Sequence, residues 1–200
     1  MGDVMIMEGI DAVGKTTLAK LTAEKIGGVY YRTPPDCFKE RCQAMDGRGV
    51  IYDEARFFLY LESVLFASEK IQQLAKDNGQ PAIIDRWIWT TLAYHFAFNP
   101  QLYEKWQNNW PSLTAGLIKP KLQVLLFIPN DEIWLKRITE RGINKCDKLL
   151  VENPVLRKSI IQLYKNLNPD FQLIENSGTI ENTLENILNL WSQSQKKSAI

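Results

Sequence analysis

The chain has 200 residues, 45% of them apolar, with 24 Lys and Arg against 23 Asp and Glu. That length and apolar share bury one substantial core and fall short of two, so a single domain over residues 1–193, with a flexible tail at 194–200, is expected. A net charge of +1 gives no general pull toward nucleic acid or a membrane surface; neither is expected as a partner, and any anionic ligand has to be held locally.

Cys37, Cys42 and Cys146 lack the spacing of a zinc site or a C-x-x-C redox motif. No apolar stretch approaches the roughly 18 residues that span a bilayer, so a soluble, cytoplasmic protein with reduced thiols is expected. Apolar runs alternate with helix-period segments, the pattern of an α/β chain with a five-stranded, mainly parallel sheet flanked by helices. The first strand is read at Val4 to Glu8.

Directly after it, Gly9 and Gly14 frame four residues and Lys15-Thr16 follow, satisfying G-x-x-x-x-G-K-[ST] between a strand and a helix. The glycines let successive backbone N–H groups turn toward one point, and the positive end of the helix adds to them. Gly9, Ile10, Asp11, Ala12, Val13, Gly14, Lys15, Thr16 and Thr17 are therefore read as the cradle of a nucleoside triphosphate. Lys15 neutralises β- and γ-phosphate charge, and the Thr16 hydroxyl is the expected Mg²⁺ ligand.

Lys15 to Ile26 is a helix with Ala19, Ala23 and Ile26 on one face; strands follow at Val29 to Arg32 and, after a long helix over Asp53 to Asp77, at Ala82 to Asp85. Pro34-Pro35, Asp46 to Gly49 and Asn99-Pro100 mark loops. Asp85, ending a buried strand beside the phosphate loop, suits the Mg²⁺ hydration shell, and Arg86 next to it reaches a second phosphate. A fourth strand is read at Leu122 to Ile128 and a helix from the Asn130 cap to Gly142. A helix with the stripe Ile160, Leu163, Tyr164 and Leu167, a strand at Phe171 to Glu175, and a helix with Ile180, Leu184, Ile187, Leu188 and Trp191 complete the chain. Asn144-Lys145-Cys146-Asp147 spells N-K-x-D, which GTPases use to read guanine, but it lies well past the fourth strand and beyond a helix, so a switch GTPase is not the expected reading.

Four segments together resemble the thymidylate kinase family of P-loop nucleoside monophosphate kinases, and the resemblance spans most of the chain. The family's E-G-x-[DE]-x-x-G-K-[ST]-T is matched by Glu8 to Thr17, and its L-F-A-x-x-R helix segment resembles Leu65-Phe66-Ala67 to Lys70. Its D-R-[YH] with a Tyr eight residues after the Arg is similar to Asp85-Arg86-Trp87 through Tyr94. Its lid, L-K-R-x-x-x-R-G and then D-R-x-E, resembles Leu135-Lys136-Arg137 to Arg141-Gly142 and then Asp147-Lys148.

The resemblance implies a three-layer P-loop NTPase fold with a small lid over about 137–150, working as a homodimer that moves the ATP γ-phosphoryl group, with Mg²⁺, to a nucleoside monophosphate such as dTMP. It implies that Phe66 stacks on the acceptor base, that Lys70 takes the place of the family's base- and phosphate-contacting Arg, and that Arg86 grips the acceptor phosphate. Asp11 meets the sugar 3′-hydroxyl, Tyr94 crowds the 2′ position, and Thr91 lies with them; Arg137, Arg141 and Lys148 close over the transferring phosphate. The family's R-E-P-G-G is Arg32-Thr33-Pro34-Pro35 here, and Asp147 is followed by Lys-Leu-Leu150. Two other readings stay open: a deoxynucleoside or other small-acceptor kinase, and a nucleotide-binding regulator without turnover. His95, the lone histidine, reads as packed or surface-lying, because this chemistry needs no histidine base.

Overall fold

The computed structural model describes residues 3–47 and 52–197. Its centre is β1 (Val4–Glu8), all five residues of which are buried, as a parallel strand covered on both faces requires. Leu18, Ala19, Thr22 and Ala23 of α1 (Lys15–Ile26) are buried. Then come β2 (Val29–Arg32), a 3-10 turn at Asp36–Phe38, α2 (Lys39–Gly47) and the long α3 (Glu54–Asn78), started by Asp53, whose side chain accepts from the Arg56 N–H.

After β3 (Ala82–Asp85) come α4 (Ile88–Phe98), α5 (Pro100–Trp106) and α6 (Trp110–Leu113), then β4 (Leu122–Phe127). The last third holds α7 (Asp131–Arg141), α8 (Lys145–Glu152), α9 (Pro154–Leu167), β5 (Gln172–Glu175) and α10 (Ile180–Lys197). The five strands form one sheet in the order β2-β3-β1-β4-β5, and every pair is parallel. All five carboxyl ends therefore meet one edge, where Glu8, Arg32 and Asp85 are the last residues of three neighbouring strands.

All five strands lie where the pattern places them, with β4 one residue shorter at its end and β5 one shorter at its start. The expected flexible tail is corrected in part, because α10 continues to Lys197. The Ser194 hydroxyl donates to the Trp191 carbonyl, and Gln195 accepts from the Lys121 ammonium at 2.9 Å, so a polar composition here is an exposed helix face. Residues 198–200 lie outside the described residues, as do Arg48 and Gly49 of the expected loop, whereas Asp46 and Gly47 end α2. The segment expected as a lid, about 137–150, comprises the end of α7, three linking residues and most of α8.

The loop after β1 leaves no room for a side chain at its first position. Gly9 has φ +140°, and a Cβ there would sit 2.3 Å from the Leu126 carbonyl oxygen of β4. Gly9→Ala is expected to destabilise the fold by about 3 kcal/mol or more, through both torsional strain and backbone displacement, and a urea unfolding curve measures it. A midpoint equal to the parent's removes this account of the loop.

Candidate active site

The phosphate loop is held open by its own backbone. Ala12 at φ 64° and Gly14 at φ 90° adopt the left-handed region, and α1 begins at Lys15 immediately after. Lys15 is buried, and its ammonium donates to the Ile10 carbonyl at 2.6 Å. Burial, with the Arg86 charge nearby, pushes it down to about 8. Asn176 of the loop after β5 clasps the Val13 carbonyl at 2.9 Å and is itself held by the Thr183 hydroxyl.

Beside the loop, the Thr16 hydroxyl donates to Asp85 Oδ2 at 2.6 Å and the Tyr30 hydroxyl to the same oxygen at 3.2 Å. The other carboxylate oxygen, Oδ1, is buried with no hydrogen-bond partner among the described residues. A carboxylate with one unmatched oxygen next to a phosphate-loop hydroxyl fits a hydrated divalent cation, because oxygen donors of this kind are what Mg²⁺ takes.

Arg86 follows Asp85 with φ 72°, a conformation uncommon for a side chain bearing a Cβ, and it turns the guanidinium back over the loop. Its Nη2 lies 2.5 Å from Asp11 Oδ1, while the Tyr94 hydroxyl donates to Asp11 Oδ2 at 2.9 Å. Arg141 at the end of α7 approaches the same Asp11 oxygen at 3.7 Å. Burial alone raises a carboxyl, but the Arg86 and Lys15 charges outweigh it and hold Asp11 well below the usual carboxylate range. Burial keeps the Tyr94 phenol protonated, and against burial the Asp11 carboxylate keeps Arg86 charged.

Two cavities open on either side of this cluster. One, of about 400 Å³, is walled by Ala12, Gly14, Lys15, Thr16, Thr17, Arg137 and Arg141. The other, of about 250 Å³, runs under α3 and α4 and is walled by Thr91 and Tyr94 together with Tyr52, Arg56, Tyr60 and Trp87. Asp11, Arg32 and Arg86 line both, so the cavities meet at two guanidinium groups and one carboxylate.

Most of the expected site residues converge here, and three do not. Phe66 packs on Phe38 with ring centroids 5.6 Å apart, Lys70 lies over Phe66, and neither is among the residues lining either cavity. They lie beyond Arg56, Tyr60, Ser63 and Val64, the α3 residues that line the cavity, Phe66 less than one turn past Val64 and Lys70 less than two. Lys70→Arg is accordingly expected to leave the KM of a monophosphate acceptor within about twofold, since surface changes of this kind are near-neutral; a larger fall restores Lys70 to the site. Lys148 is exposed, pairs with Glu152 at 3.6 Å, and lines neither cavity.

The N-K-x-D lookalike is a helix start. Asn144 caps α8 by accepting from the Asp147 N–H, and Asp147 accepts from the Asn144 N–H, a reciprocal capping box. Buried Asp147 also takes the Arg141 guanidinium at 2.5 Å, and so aims Arg141 toward Asp11. Ile10 and Val13 are buried and shape the loop through their carbonyls.

Sequence reasoning missed Arg32 and Arg56. Arg56 is buried with its guanidinium 4.8 Å from the centroids of both Tyr52 and Tyr60, and only the i, i+4 spacing of Arg56 and Tyr60 hinted at it. His95 is packed against Tyr52, Phe57 and Tyr60; burial drops it to about 3, and the neutral ring is hydrogen-bonded through Nδ1 to the Thr91 carbonyl. Trp87 is buried in the cavity wall, while Trp89 packs on Trp110 and Trp106 on Phe58 within the same chain.

A parallel sheet with a phosphate-binding loop at its carboxyl edge, and two cavities joined at the half-buried Arg86 and the exposed Arg32, defines a P-loop phosphotransferase acting between two phosphorylated ligands. The family model for thymidylate kinase matches residues 7–187. The chain belongs to the thymidylate kinase family, and is an ATP-dependent nucleoside monophosphate kinase. It is 30% identical over 209 residues to the probable thymidylate kinase of Thermococcus gammatolerans, covering 96% of this chain and 97% of that one. It is also 30% identical over 196 residues to the human mitochondrial UMP-CMP kinase 2, covering 94% of this chain and 42% of that protein. The solved thymidylate kinase of Candida albicans shares the fold, with a TM-score of 0.74 at 20% identity over 97% of this chain and 92% of that chain.

Proposed function

We propose that the protein transfers the γ-phosphoryl group of ATP, as its Mg²⁺ complex, to dTMP, giving dTDP and ADP. The observation that carries this reading is the junction of the two cavities at Asp11, Arg32 and Arg86. The phosphate-loop cavity takes the donor and the cavity under α3 and α4 takes the acceptor. An acceptor phosphate oxygen then forms a bond to the γ-phosphorus as the bond to the β,γ-bridging oxygen breaks, and ADP leaves with that electron pair.

Lys15, the loop N–H groups, Arg137 and Arg141 face the donor phosphates, and Arg86 with Arg32 receives the acceptor phosphate. Their charges are fixed before reaction, so stabilising the equatorial oxygens requires little reorganisation. Thr16 and Asp85 would hold the Mg²⁺, which would supply neutralisation of the phosphate charge. Asp11 and Tyr94 orient the acceptor sugar, and Thr91, Tyr60 and Arg56 face its base. The protein works in the cytoplasm, as a homodimer, in deoxynucleotide supply.

ADP formation from ATP and Mg²⁺ across dTMP, dUMP, dCMP, UMP, CMP, the purine monophosphates and thymidine tests the reading. Selective turnover of dTMP is expected. Preference for UMP or CMP moves the acceptor toward the human relative's named substrates, turnover of thymidine makes the chain a nucleoside kinase, and ATP binding without any turnover leaves a regulator.

A further inference from the structure

Glu8, the last residue of β1, is completely buried and has no part in the reaction described above. Its carboxylate reaches across to the start of α4. Oε1 accepts from the Trp87 N–H at 2.9 Å and the Thr90 N–H at 3.0 Å, and Oε2 accepts from the Thr90 hydroxyl. Trp87 is the N-cap of α4, and no side chain of its own segment caps that helix. Helix starts leave N–H groups unmatched, and here a carboxylate from the central strand fills the role usually taken by a local Ser, Asp or Asn.

Two features tie this cap to the reaction site. Glu8 immediately precedes Gly9 of the phosphate loop, and Trp87 immediately follows Arg86, whose left-handed torsion aims the guanidinium at Asp11. The Thr90 hydroxyl also meets the Tyr164 hydroxyl of α9 at 2.8 Å, and that phenol donates to the Gly9 carbonyl at 3.3 Å. We propose that Glu8 is a positioning residue, which through the start of α4 sets Arg86 and the acceptor wall relative to the phosphate loop. This inference rests on the kinase reading above, in which Arg86 receives the acceptor phosphate.

The node responds to protons. Burial raises the Glu8 carboxyl to about 7, against the hydrogen bonds from Thr90 and Trp87. The groups facing it are Arg86 before α4, Lys15 of α1, the Thr90 hydroxyl of α4 and the Tyr164 phenol of α9. A proton on Oε2 reverses that bond, the acid donating to the Thr90 oxygen while the Thr90 hydrogen turns to Tyr164, and the neutral carboxyl then takes the Trp87 and Thr90 N–H groups more weakly, so the ionised carboxylate is the form that fastens the helix start most firmly.

The test compares the parent with Glu8→Gln, Thr90→Val and Thr90→Ser. For dTMP turnover at saturating ATP, an acid limb near pH ~7 is expected in the parent, beyond the substrate phosphate's own titration at about 6, which all variants share. Glu8→Gln is expected to abolish that limb and to lower kcat/KM for dTMP about tenfold at pH ~8, with the KM for ATP held within about twofold. Thr90→Val removes a donor to the ionised form and moves the limb upward, while Thr90→Ser restores it; this pair decides the matter if Glu8→Gln does not fold.

If dTMP is not turned over, the kinase reading fails separately, and NMR of the intact protein reads the node directly. The Glu8 carboxyl carbon is then expected to titrate near ~7, with the Arg86 Nε–H resonance following the same midpoint. A folded Glu8→Gln enzyme with the parent's pH profile and dTMP KM overturns the proposal, as does titration of Glu8 without movement of Arg86.

Discussion

Replacing Lys15 with Ala is expected to lower dTMP phosphorylation by at least about two orders of magnitude, the usual cost of removing one preorganised cationic donor from a transferring phosphoryl group. The ammonium is held within the loop by the Ile10 carbonyl at 2.6 Å and is buried, so it meets the phosphates without crossing solvent. The same charge helps hold Asp11 ionised, which Lys15→Arg would keep, but Arg is a poor substitute because its longer planar fork does not match the single buried ammonium that donates to the Ile10 carbonyl. Single-turnover measurement of γ-phosphoryl transfer separates chemistry from ATP binding. A fall in kcat with a fluorescent ATP analogue still bound is the expected result, and near-normal turnover would falsify the phosphate-loop assignment.

Arg86→Ala should fall mainly on the acceptor. The expected loss is about three orders of magnitude in kcat/KM for dTMP, with about one recovered by Arg86→Lys, which keeps the charge and loses the fork. It should also cost stability, about 2 kcal/mol, because the half-buried Asp11 is left without the guanidinium 2.5 Å away. The sign with pH follows from the depressed Asp11 carboxyl. In the parent its stabilisation is complete above the ordinary value of 3.8 and is lost as pH falls through the folded one, so parent and variant differ most near neutrality and converge in acid. Urea unfolding at several pH values measures the convergence, and acceptor kinetics measure the clamp. If the variant's defect lies in the KM for ATP alone, Arg86 belongs to the donor site.

The cavity wall along α3 is where reading along the chain and the packed structure differ. Leu65-Phe66-Ala67 to Lys70 match a family pattern in type, and α3 does carry acceptor-facing residues, but the earlier turns with Arg56 and Tyr60 reach the cavity. A helix advances about 1.5 Å per residue, so Phe66 lies roughly 3 Å and Lys70 roughly 9 Å along the axis beyond Val64, the last α3 residue that lines the cavity. Only the packing of α3 against α4 fixes which turn lies opposite Arg86. The spacing of Arg141 and Lys148 likewise gives no sign that Asp147 between them turns inward to cap α8 and hold Arg141.

The sheet and the phosphate-loop geometry were legible along the chain. A strand that is apolar throughout has to be buried on both faces, and Gly9, Gly14 and Lys15-Thr16 act through backbone torsions and short-range spacing, which a linear chain states directly. Asp85 and Arg86 were legible because a strand end is a local feature that the parallel sheet carries to one edge. The tertiary structure alone decided how β1 meets α4, how α3 meets α4, and how α7 meets α8. Those contacts join Glu8 to Thr90, Arg56 to the acceptor cavity and Asp147 to Arg141. The physical reason is the separation of 82 residues between Glu8 and Thr90, which no local spacing encodes and only the packed fold brings within a hydrogen bond.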